Sequence, residues 1–414
     1  MSNKIVVLGA GMVGTACALQ LQRAGMDVTL IDRSPEVKET SYGNAGMIAT
    51  SSVLQLNNAR LWRSLPSYIN NRSASVRYRL SYVLRNMGWM VRYLAGATEA
   101  NDQLSIAALS ALIKPSLAEH ESLMAQAGIS HRLKKEGWLK LYRKHSSYTG
   151  GDYERACLRG AGVDIEELDR GGIRDLEPDL NPLFEHGIWI RDSASVDNPG
   201  AVTEAYRKLF VVQGGKLVID QVSAVERTDG GYRLMGTREP METPQLVVAL
   251  GPWSNNILAP LQVKLPLVYE RGYHQHFNAE PGKRLNRTIY DADGGYVLAP
   301  MEQGYRLSSG VELAERDAPP TPDQLTMVVP RAREAFNLTD TAESSPWLGS
   351  RPSLPDSMPV IGPVAKHYGL WLCTGHGHIG FSTGPVSGRI LAAEVMGQTP
   401  DIDIRPFLPS RFGL

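Results

Sequence analysis

The chain has 414 residues, of which 43% are hydrophobic and 21% are charged. This composition predicts a folded protein of roughly two to four domains. Lys plus Arg and Asp plus Glu both number 43, and this zero net charge argues against a general nucleic-acid-binding protein. The chain has no uninterrupted apolar run long enough to span a bilayer. Three widely spaced cysteines and no secretory signal at the first residues predict a cytoplasmic protein with no metal site.

The first recognisable unit is a strand, a glycine-rich turn and a helix at the start of the chain. Lys4–Leu8 is predicted to be a buried parallel strand, and Gly9–Gly14 follows it with the pattern GxGxxG. Thr15–Ala24 is predicted to be a helix and Asp27–Ile31 a second strand, which ends at Asp32. This order, within one short βαβ unit, is typical of a dinucleotide-binding site.

Each residue of that turn has a physical task. Gly9 permits the tight turn, Gly11 lets the backbone approach a pyrophosphate, and Gly14 lets the helix pack close to the strand. The helix N-terminus offers N–H groups and a positive dipole end to the phosphates. Asp32 can accept hydrogen bonds from an adenosine ribose, and its carboxylate would repel the 2′-phosphate of NADP. The positive charge of the neighbouring Arg33 makes this argument against NADP weaker. The motif alone leaves both NAD and FAD open.

The segment 56–127 is predicted to be mainly helical, and much of it is basic and aromatic. No acidic residue lies between Glu39 and Glu99. The clearest helical periodicity spans Val76–Ala95, and the residues that carry it are Leu80, Val83, Met87, Met90, Val91 and Leu94, with Arg77, Arg85 and Arg92 on another face. Within 53–96 the interleaved basic and aromatic side chains are Arg60, Arg63, Arg72, Arg77, Arg79, Arg85, Arg92, Trp62, Tyr68, Tyr78, Tyr82, Trp89 and Tyr93.

Two interpretations of this segment stay open. It can be a helical arm whose arginines are solvated or contact another subunit. Alternatively, it can lie on the inner face of the cytoplasmic membrane, where arginines attract anionic headgroups and Trp and Tyr favour the interface.

The remainder of the chain returns twice to nucleotide-domain patterns. Leu246–Leu250 is predicted to be a buried strand followed by Gly251, and Leu370–Cys373 is a strand followed by the glycine loop Gly375–Gly380. Between them, 263–349 alternates aromatic and polar residues as an antiparallel sheet does. We therefore predict a nucleotide-binding domain from 1–55, 190–262 and 350–414, a substrate domain from 128–189 and 263–349, and a helical insertion at 56–127. Such a split nucleotide domain favours FAD over NAD.

At this point the sequence resembles the FAD-dependent D-amino-acid oxidase superfamily, and most of all its bacterial D-amino-acid dehydrogenase branch, which includes D-proline and hydroxy-D-proline dehydrogenases. The resemblance covers nearly the whole chain. Its carriers are the segments 6–33, Asn44–Gly46, LVVALGPWS at 246–254, WLGSRPSLPD at 347–356 with PVIG at 359–362, and TGHGHIG at 374–380. It implies an α/β protein, α+β overall, with a Rossmann-like FAD-binding domain split in sequence, an antiparallel-sheet substrate domain and a helical insertion.

The resemblance also implies which residues contact FAD. The glycine loop and the helix after it would present N–H groups to the flavin where negative charge develops on reduction. The predicted cofactor-binding residues are Gly9, Gly11, Met12, Val13, Gly14, Asp32, Arg33, Ser41, Asn44, Ala45, Gly46, Met47, Val222, Gly251, Trp253, Gly377, His378, Ile379, Gly380 and Phe381.

The predicted substrate site centres on Arg351, which corresponds to the arginine that clamps the substrate carboxylate in related enzymes. Ser350 stands where relatives commonly have an apolar residue. Tyr296 matches a family position whose phenol helps to hold the carboxylate. Arg271 and Tyr273 lie on the strand expected to roof the substrate, and His378 is expected beside the flavin loop. These five side chains form the predicted catalytic set.

The implied reaction is oxidative deamination of a D-amino acid by hydride transfer from Cα to flavin N5, giving an imine and then a 2-oxo acid. This chemistry requires a neutral amine and no obvious general base. No acidic residue stands out at a pocket position, so we expect small neutral or cyclic substrates such as D-Ala, D-Pro or hydroxy-D-Pro. The electron acceptor can be O2, a quinone or a partner protein. Alternatives are an NAD dehydrogenase, a sarcosine, glycine or 2-hydroxy-acid oxidase, and a flavin-binding assembly protein without turnover.

Overall fold

The structure is a computed structural model and describes residues 3–414. The strands, in chain order, are β1 Lys4–Leu8, β2 Asp27–Asp32, β3 Met47–Ile48, β4 Val76–Tyr78, β5 Leu133–Lys134, β6 Trp138–Tyr142, β7 Ile165–Leu168, β8 His186–Ile190, β9 Ala194–Val196, β10 Lys216–Ile219, β11 Ala224–Thr228, β12 Gly231–Met235, β13 Met241–Thr243, β14 Leu246–Val248, β15 Val268–Ala279, β16 Thr288–Asp291, β17 Tyr296–Met301, β18 Gly304–Ser308, β19 Val311–Leu313, β20 Leu338–Thr341, β21 Trp347–Ser353, β22 Val360–Pro363 and β23 Leu370–Thr374.

The α-helices, in chain order, are α1 Met12–Arg23, α2 Leu61–Tyr68, α3 Leu80–Arg85, α4 Met87–Ala95, α5 Glu99–Ile113, α6 Ser116–Gln126, α7 His145–Gly150, α8 Asp152–Gly160, α9 Arg170–Leu176, α10 Pro199–Val212, α11 Ser254–Leu258, α12 Asp323–Ala335 and α13 Gly380–Val395. Among residues 3–414, no helix has both the length and the apolar character that crossing a membrane requires.

A six-stranded sheet gathers strands from distant parts of the chain in the order β10-β2-β1-β14-β23-β22. Its strands are parallel except for β22. Ile5, Val6, Val7 and Leu8 on the central strand β1 are all buried, as expected for a strand covered by helices on both faces. The expected Rossmann-like sheet, split in sequence, is confirmed.

Helices α1 and α13 pack against each other at very close range because α13 carries glycines at the contact. A Cβ at Gly388 would lie 2.6 Å from the Ala16 carbonyl carbon, and one at Gly384 would lie 2.9 Å from Cγ of Met12. Gly14 gives the same closeness between α1 and the first turn, because a Cβ there would lie 1.8 Å from the Gly9 carbonyl oxygen. The N-termini of α1 and α13 therefore meet at the carboxyl ends of the parallel strands, where ligands bind in open α/β sheets.

A larger, mostly antiparallel sheet has the order β4-β19-β15-β18-β17-β16-β6-β8-β7, and β20 and β21 also pair with β15. One face of this sheet packs under α12 around a core that includes Val328, Phe336 and Leu298. The other face is turned towards the six-stranded sheet. This arrangement agrees with the predicted antiparallel substrate domain, while the exact domain boundaries stay a prediction.

The basic and aromatic segment differs from the prediction in two respects. Val76–Tyr78 is a strand that pairs in parallel with β19, and the following helix breaks at Asn86 into α3 and α4. Its buried face is aromatic, formed by Tyr82 and Trp89 against Val268. Of the aliphatic side chains that carry the helical periodicity, half are exposed, namely Leu80, Met87 and Val91. The other half, Val83, Met90 and Leu94, are half-buried. Leu84 is exposed as well. Aromatic burial decided the orientation, which the aliphatic periodicity did not predict.

Candidate active site

One continuous cavity of about 1260 Å³ lies between the two sheets. The first glycine turn lines one part of it through Gly9, Gly11 and Met12, and the C-terminal glycine loop lines another through Gly377 and Gly380. Both turns therefore converge on a single space, with the N-terminus of a long helix behind each.

The first turn is shaped for close approach of a ligand to the backbone. Gly9 has φ +98°, and a Cβ there would lie 2.6 Å from the Ala249 carbonyl oxygen, so no other residue fits without strain. Ser41 accepts a hydrogen bond of 3.0 Å from the Met12 N–H. The chain from Gly9 to Met12 thus presents backbone and a positive helix end to the cavity, which suits a diphosphate.

Asp32 is held by several groups at the edge of the cavity. Its Oδ2 accepts a 2.6 Å hydrogen bond from the Ala10 N–H, and its Oδ1 accepts one of 3.0 Å from the Ser34 N–H. Arg207 of α10 lies 3.4 Å from Oδ2 and donates to the Ala10 carbonyl oxygen at 2.6 Å. Arg207 is a cavity-lining residue that the sequence did not single out. Its only sequence signal is the position of the arginine beside the apolar residues Tyr206 and Phe210 of α10.

Arg33 and Trp253 close the same end of the cavity. The Arg33 guanidinium carbon lies 4.1 Å from the centre of the Trp253 ring, and Arg33 forms an ion pair with Glu39. Val222 and Gly251 line the cavity beside them. The side chains of Arg33, Trp253 and Val222 offer flat apolar and stacking surfaces, which suit an adenine ring.

The C-terminal glycine loop is fixed by a network behind it. Gly375 and Gly377 have φ of +76° and +52°. The Thr374 hydroxyl lies 2.9 Å from the Ser254 hydroxyl, and Nε2 of His376 lies 3.0 Å from the Ser387 hydroxyl. Burial lowers the pKa of His376 to about 3, so this imidazole is neutral at physiological pH. The loop therefore holds the start of α13 towards the cavity without adding a charge.

Arg306 supports a third cavity-lining segment, the loop 41–47. It donates to the carbonyl oxygens of Tyr42 at 2.7 Å and of Asn44 at 2.5 Å, while the Asn44 side-chain oxygen has no hydrogen-bond partner among residues 3–414. Arg306 also donates to Nε2 of His276 at 3.1 Å. His274, His276 and Glu343 cluster within ligand distance of one another, but the positive charge of Arg306 beside His276 disfavours a cation there.

Most of the predicted cofactor residues line this cavity. They are Gly9, Gly11, Met12, Val13, Asp32, Arg33, Ser41, Asn44, Ala45, Met47, Val222, Gly251, Trp253, Gly377, His378, Gly380 and Phe381. Gly14, Gly46 and Ile379 lie behind the lining instead. Gly46, for example, has φ +74° and packs against the Val196 backbone, so it shapes the loop and does not face the cavity.

Arg351 projects from β21 into the same cavity. Its guanidinium lies over Gly272 of β15, where a Cβ would be 2.8 Å from Nη2 and 2.9 Å from Nη1. Nη1 is buried and has no hydrogen-bond partner among residues 3–414. Burial lowers the pKa of Arg351, and the negative charge of Glu270 acts the other way. A buried donor without a partner in a cavity suits an anionic ligand.

The structure contradicts the expectation that the pocket has no prominent acidic residue. Glu270 is opposite Arg351 in the antiparallel pairing of β15 and β21 and lines the cavity, with only 6% of its surface exposed. Burial raises the pKa of Glu270, while the charge of Arg351 and a hydrogen bond from Ser353 lower it. Glu270 was not predicted from the sequence, because its neighbours Arg271 and Tyr273 were expected to face the substrate from this strand.

Arg271, Tyr273 and Tyr296 do not line the cavity, so this part of the predicted site is wrong. Side chains alternate between the two faces of a strand. Glu270 and Gly272 face the cavity from β15, and Val297 faces it from β17, so their neighbours point away. The Tyr273 phenol donates to Glu312 at 2.8 Å, and Arg271 lies 3.5 Å from the same carboxyl group.

Tyr296 is fully buried on that opposite face, where its hydroxyl lies 3.5 Å from the Arg331 carbonyl oxygen. Its surroundings, Asp291 and Arg143, form a 2.8 Å ion pair of their own. These contacts are those of a structural tyrosine.

With this geometry in place, comparison with known proteins decides the family. Residues 4–394 match the DAO family, described as FAD dependent oxidoreductase. The chain belongs to this family. It is therefore a flavoenzyme that uses FAD, and the predicted family, fold class and cofactor are confirmed.

Relatives of this flavoenzyme align with it along nearly their whole length. It is 30% identical to the D-amino-acid oxidase of Bradyrhizobium diazoefficiens, with 99% of this chain and 98% of the relative covered. It is 31% identical to D-amino acid dehydrogenase 2 of Mesorhizobium japonicum, with 97% and 98% covered. Its fold is similar to that of glycine oxidase from Geobacillus kaustophilus, with a TM-score of 0.74, 19% identity and 98% of both chains covered.

His378 is the remaining predicted residue of this DAO-family site, and it lines the cavity beside Arg351. Its side chain is exposed to solvent at the cavity wall. The surrounding protein and the positive charge of Arg351 lower the pKa of His378 to about 4. Its imidazole is therefore neutral at physiological pH and can exchange hydrogen bonds with a ligand without repelling a cation.

Proposed function

We propose that this DAO-family flavoenzyme oxidises D-amino acids, small neutral or cyclic ones such as D-Ala, D-Pro or hydroxy-D-Pro, to the imine and then the 2-oxo acid. The observation that carries the proposal is the partnerless guanidinium nitrogen of Arg351 in the cavity that both glycine turns line. The names of the relatives, a D-amino-acid oxidase and D-amino acid dehydrogenases, support the D configuration.

In this proposal each side chain has a limited task. Bound flavin supplies the two-electron acceptor for the hydride that leaves the α-carbon. Arg351 fixes the substrate carboxylate with two parallel donors, and Gly272 leaves the space that the guanidinium needs. His378 stays neutral and adds no second positive charge beside the substrate amine. The two helix N-termini favour the negative charges of a dinucleotide.

The principal alternative is an enzyme of the same family with a different amino-acid substrate. Structures similar in fold include a glycine oxidase and the L-proline dehydrogenase of P. horikoshii, the latter with a TM-score of 0.73 and 18% identity. These names keep glycine, sarcosine and cyclic imino acids in the set of candidates. Two further alternatives, 2-hydroxy acids and a non-catalytic flavin-binding role, are distinguished by the same experiment.

That experiment is anaerobic reduction of the bound flavin by a panel of D- and L-amino acids, glycine, N-methylglycine and 2-hydroxy acids. We expect loss of the oxidised flavin absorbance with small or cyclic D-amino acids. Arg351→Ala should raise KM about 100-fold because it removes a bidentate, charge-assisted contact, and it should keep its flavin. A flavin that stays oxidised with the whole panel, or an Arg351→Ala variant with unchanged KM, would contradict the proposal.

For the electron acceptor, we propose a membrane quinone reached through peripheral contact of α3 and α4 with an anionic bilayer; O2 and a partner protein are the alternatives. Leu80, Leu84, Met87 and Val91 recur at helical spacing and are 64%, 58%, 46% and 57% exposed. Such a face, flanked by arginines, suits the bilayer interface. Arg77 and Arg85 form ion pairs with Asp323 and Glu315. Attraction to anionic headgroups therefore depends on other arginines of this segment. Within residues 3–414, the arginines of this segment that form no ion pair are Arg63, Arg72 and Arg92.

Flotation of the holoenzyme with vesicles tests this contact. Vesicles that contain phosphatidylglycerol should carry the enzyme upwards, and vesicles of phosphatidylcholine alone should carry less. Leu84→Glu with Val91→Glu should abolish flotation, whereas Val212→Glu, at a more exposed apolar position on α10, should not. A holoenzyme that remains at the bottom of the gradient with both lipids would refute the membrane contact.

A further inference from the structure

Glu270 and Arg351 carry opposite charges on neighbouring strands of the cavity wall, but they form no ion pair within 4.0 Å. The two residues are direct cross-strand partners, so both side chains project from the same face of the sheet. The Arg351 guanidinium leans over Gly272, two positions along β15 from Glu270. Within residues 3–414, no carboxylate lies within 4.0 Å of the guanidinium nitrogens. The pair is therefore open to a ligand that carries both charges.

The other acidic side chains that line the cavity are already engaged. The pairs are Asp32 with Arg207, Glu36 with Lys38, Glu39 with Arg33, Glu154 with Lys140 and Asp317 with Arg316, and Asp220 accepts two hydrogen bonds from Thr237. Among the described acidic residues that line the cavity, only Glu270 and Asp220 have no basic partner within 4.0 Å, and of these two only Glu270 is buried. A buried carboxylate of this kind calls for a cationic ligand group.

We propose that Glu270 binds the α-ammonium group of the substrate and accepts a proton from it, which rests on the proposed oxidation of amino acids. A free amino acid is a zwitterion whose two charges are separated by one carbon, and Arg351 and Glu270 present the two complementary charges from neighbouring strands on one face of the sheet. One N–H bond of the ammonium breaks and one O–H bond forms on Glu270. The lone pair left on nitrogen then forms the C=N bond as the α-hydrogen leaves with its electrons as hydride. The proton on Glu270 is released to solvent through the cavity.

The surroundings of Glu270 are compatible with this role. The charged group that faces it is Arg351 on β21, and Ser353 of the same strand offers a hydrogen bond. From the helical arm, Tyr82 of α3 and Tyr93 of α4 also face it. Burial raises the pKa of both tyrosines well above the ordinary value, so they stay neutral. Burial also raises the pKa of Glu270, which makes its carboxylate a stronger proton acceptor than one in water.

Binding of two ligands that cannot be oxidised separates the amine contact from the carboxylate contact. The first, 2-aminoisobutyrate, has no α-hydrogen. The second, pivalate, has the same shape but carries a methyl group where 2-aminoisobutyrate carries its ammonium group. The flavin spectrum of the holoenzyme reports the binding of each. We expect the wild-type enzyme to prefer 2-aminoisobutyrate, and Glu270→Gln to lose roughly 10- to 100-fold of that preference, because a charge-assisted hydrogen bond is removed. Affinity for pivalate should stay the same or rise.

The second measurement is the pH dependence of anaerobic flavin reduction by the best amino-acid substrate. In the wild-type enzyme, the rate should rise with pH through an apparent pKa below that of the free ammonium group. In Glu270→Gln that apparent pKa should move up towards the value of the free amino acid, with the rate recovering in alkaline solution. A residue that only supports the fold would lower the rate at every pH.

Glu154→Gln is the matched control, because Glu154 also lines the cavity but pairs with Lys140. It should keep both the ligand preference and the position of the pH profile. If Glu270→Gln does not fold, a wild-type enzyme that binds pivalate as tightly as 2-aminoisobutyrate would still refute the inference. An unchanged pH profile in Glu270→Gln would also refute the inference. So would a Glu270→Gln variant in which flavin reduction slows only with basic amino acids. In each case amino acids still reduce the wild-type flavin, whereas failure of the proposed function leaves that flavin oxidised.

Discussion

At the scale of single residues, the site depends as much on absent side chains as on present ones. Gly272 and Gly349 are opposite each other on β15 and β21 and leave a depression in the sheet. The Arg351 guanidinium lies over the first, and the indole of Trp347 lies over the second, where a Cβ would be 2.0 Å from the ring. The position of Arg351 in the cavity is thus set by a glycine on the neighbouring strand.

Gly272→Ala tests this arrangement directly. The added methyl carbon would lie 2.8 Å from Nη2 of Arg351, which is closer than contact allows, so the guanidinium must shift and the substrate carboxylate loses a well-placed partner. We expect KM to rise about 10- to 100-fold, since small misplacements of a binding group are costly. Flavin content should be unchanged. Gly150→Ala, at a position with no atom within 4 Å, is the control. Normal KM in Gly272→Ala would mean that Arg351 does not hold the substrate.

At the scale of elements, the convergence of α1 and α13 creates the cofactor site. Gly388→Ala should force these helices apart, because its Cβ would meet the backbone of Ala16 and Cys17 at 2.6–2.8 Å. Overpacking of this kind costs about 1–3 kcal/mol of unfolding free energy. We expect a lower Tm and less FAD per protein, measured by thermal unfolding and by the ratio of flavin to protein absorbance.

Gly160→Ala in α8 is the control for that substitution, since nothing lies within 4 Å of the added methyl group. It should keep Tm and flavin content. Equal FAD content in Gly388→Ala and wild type would indicate that the spacing of the two helix N-termini does not govern cofactor binding.

Elements also explain what the sequence could and could not predict. The turn Gly9–Gly14 was predictable because its function is local, encoded in adjacent residues. The assignment of Arg271, Tyr273 and Tyr296 to the site was wrong because it depended on which face of a strand each residue occupies. Side chains alternate between the two faces of a strand, so an error of one residue assigns a side chain to the opposite face. Glu270 was missed for the same reason. The exposed aliphatic face of α3 and α4 was unpredictable because it depends on the packing of Tyr82 and Trp89 against a strand far along the chain.

At the scale of the whole molecule, buried neutral histidines link stability to pH. Burial lowers the pKa of His120 to about 4 and of His376 to about 3, far below the ordinary value of 6.5. Between about pH 6.5 and pH 4 the unfolded chain therefore binds protons that the folded protein does not, and stability must fall as the pH falls. Glu177, whose pKa burial raises to about 7, and Glu270 act in the opposite direction, whereas the lowered pKa values of His274, His276 and His378 act in the same direction as those of His120 and His376.

We therefore expect the unfolding free energy of the holoenzyme to decrease on acidification from about pH 7 to about pH 5, with each histidine contributing at most about 1.4 kcal/mol per pH unit. Urea unfolding at a series of pH values, followed by flavin release and by circular dichroism, measures this. Stability that rises or stays constant on acidification would show that these imidazoles are protonated in the folded protein.

One cavity is expected to hold both FAD, across the two glycine turns, and an amino acid at Arg351. A crystal structure of the holoenzyme with 2-aminoisobutyrate measures this most directly. We predict the diphosphate at Gly9–Met12, the flavin ring beside Gly377–Gly380, the ligand carboxylate on Arg351 and its ammonium on Glu270. A flavin ring remote from Gly377–Gly380, or a ligand carboxylate bound away from Arg351, would contradict the account.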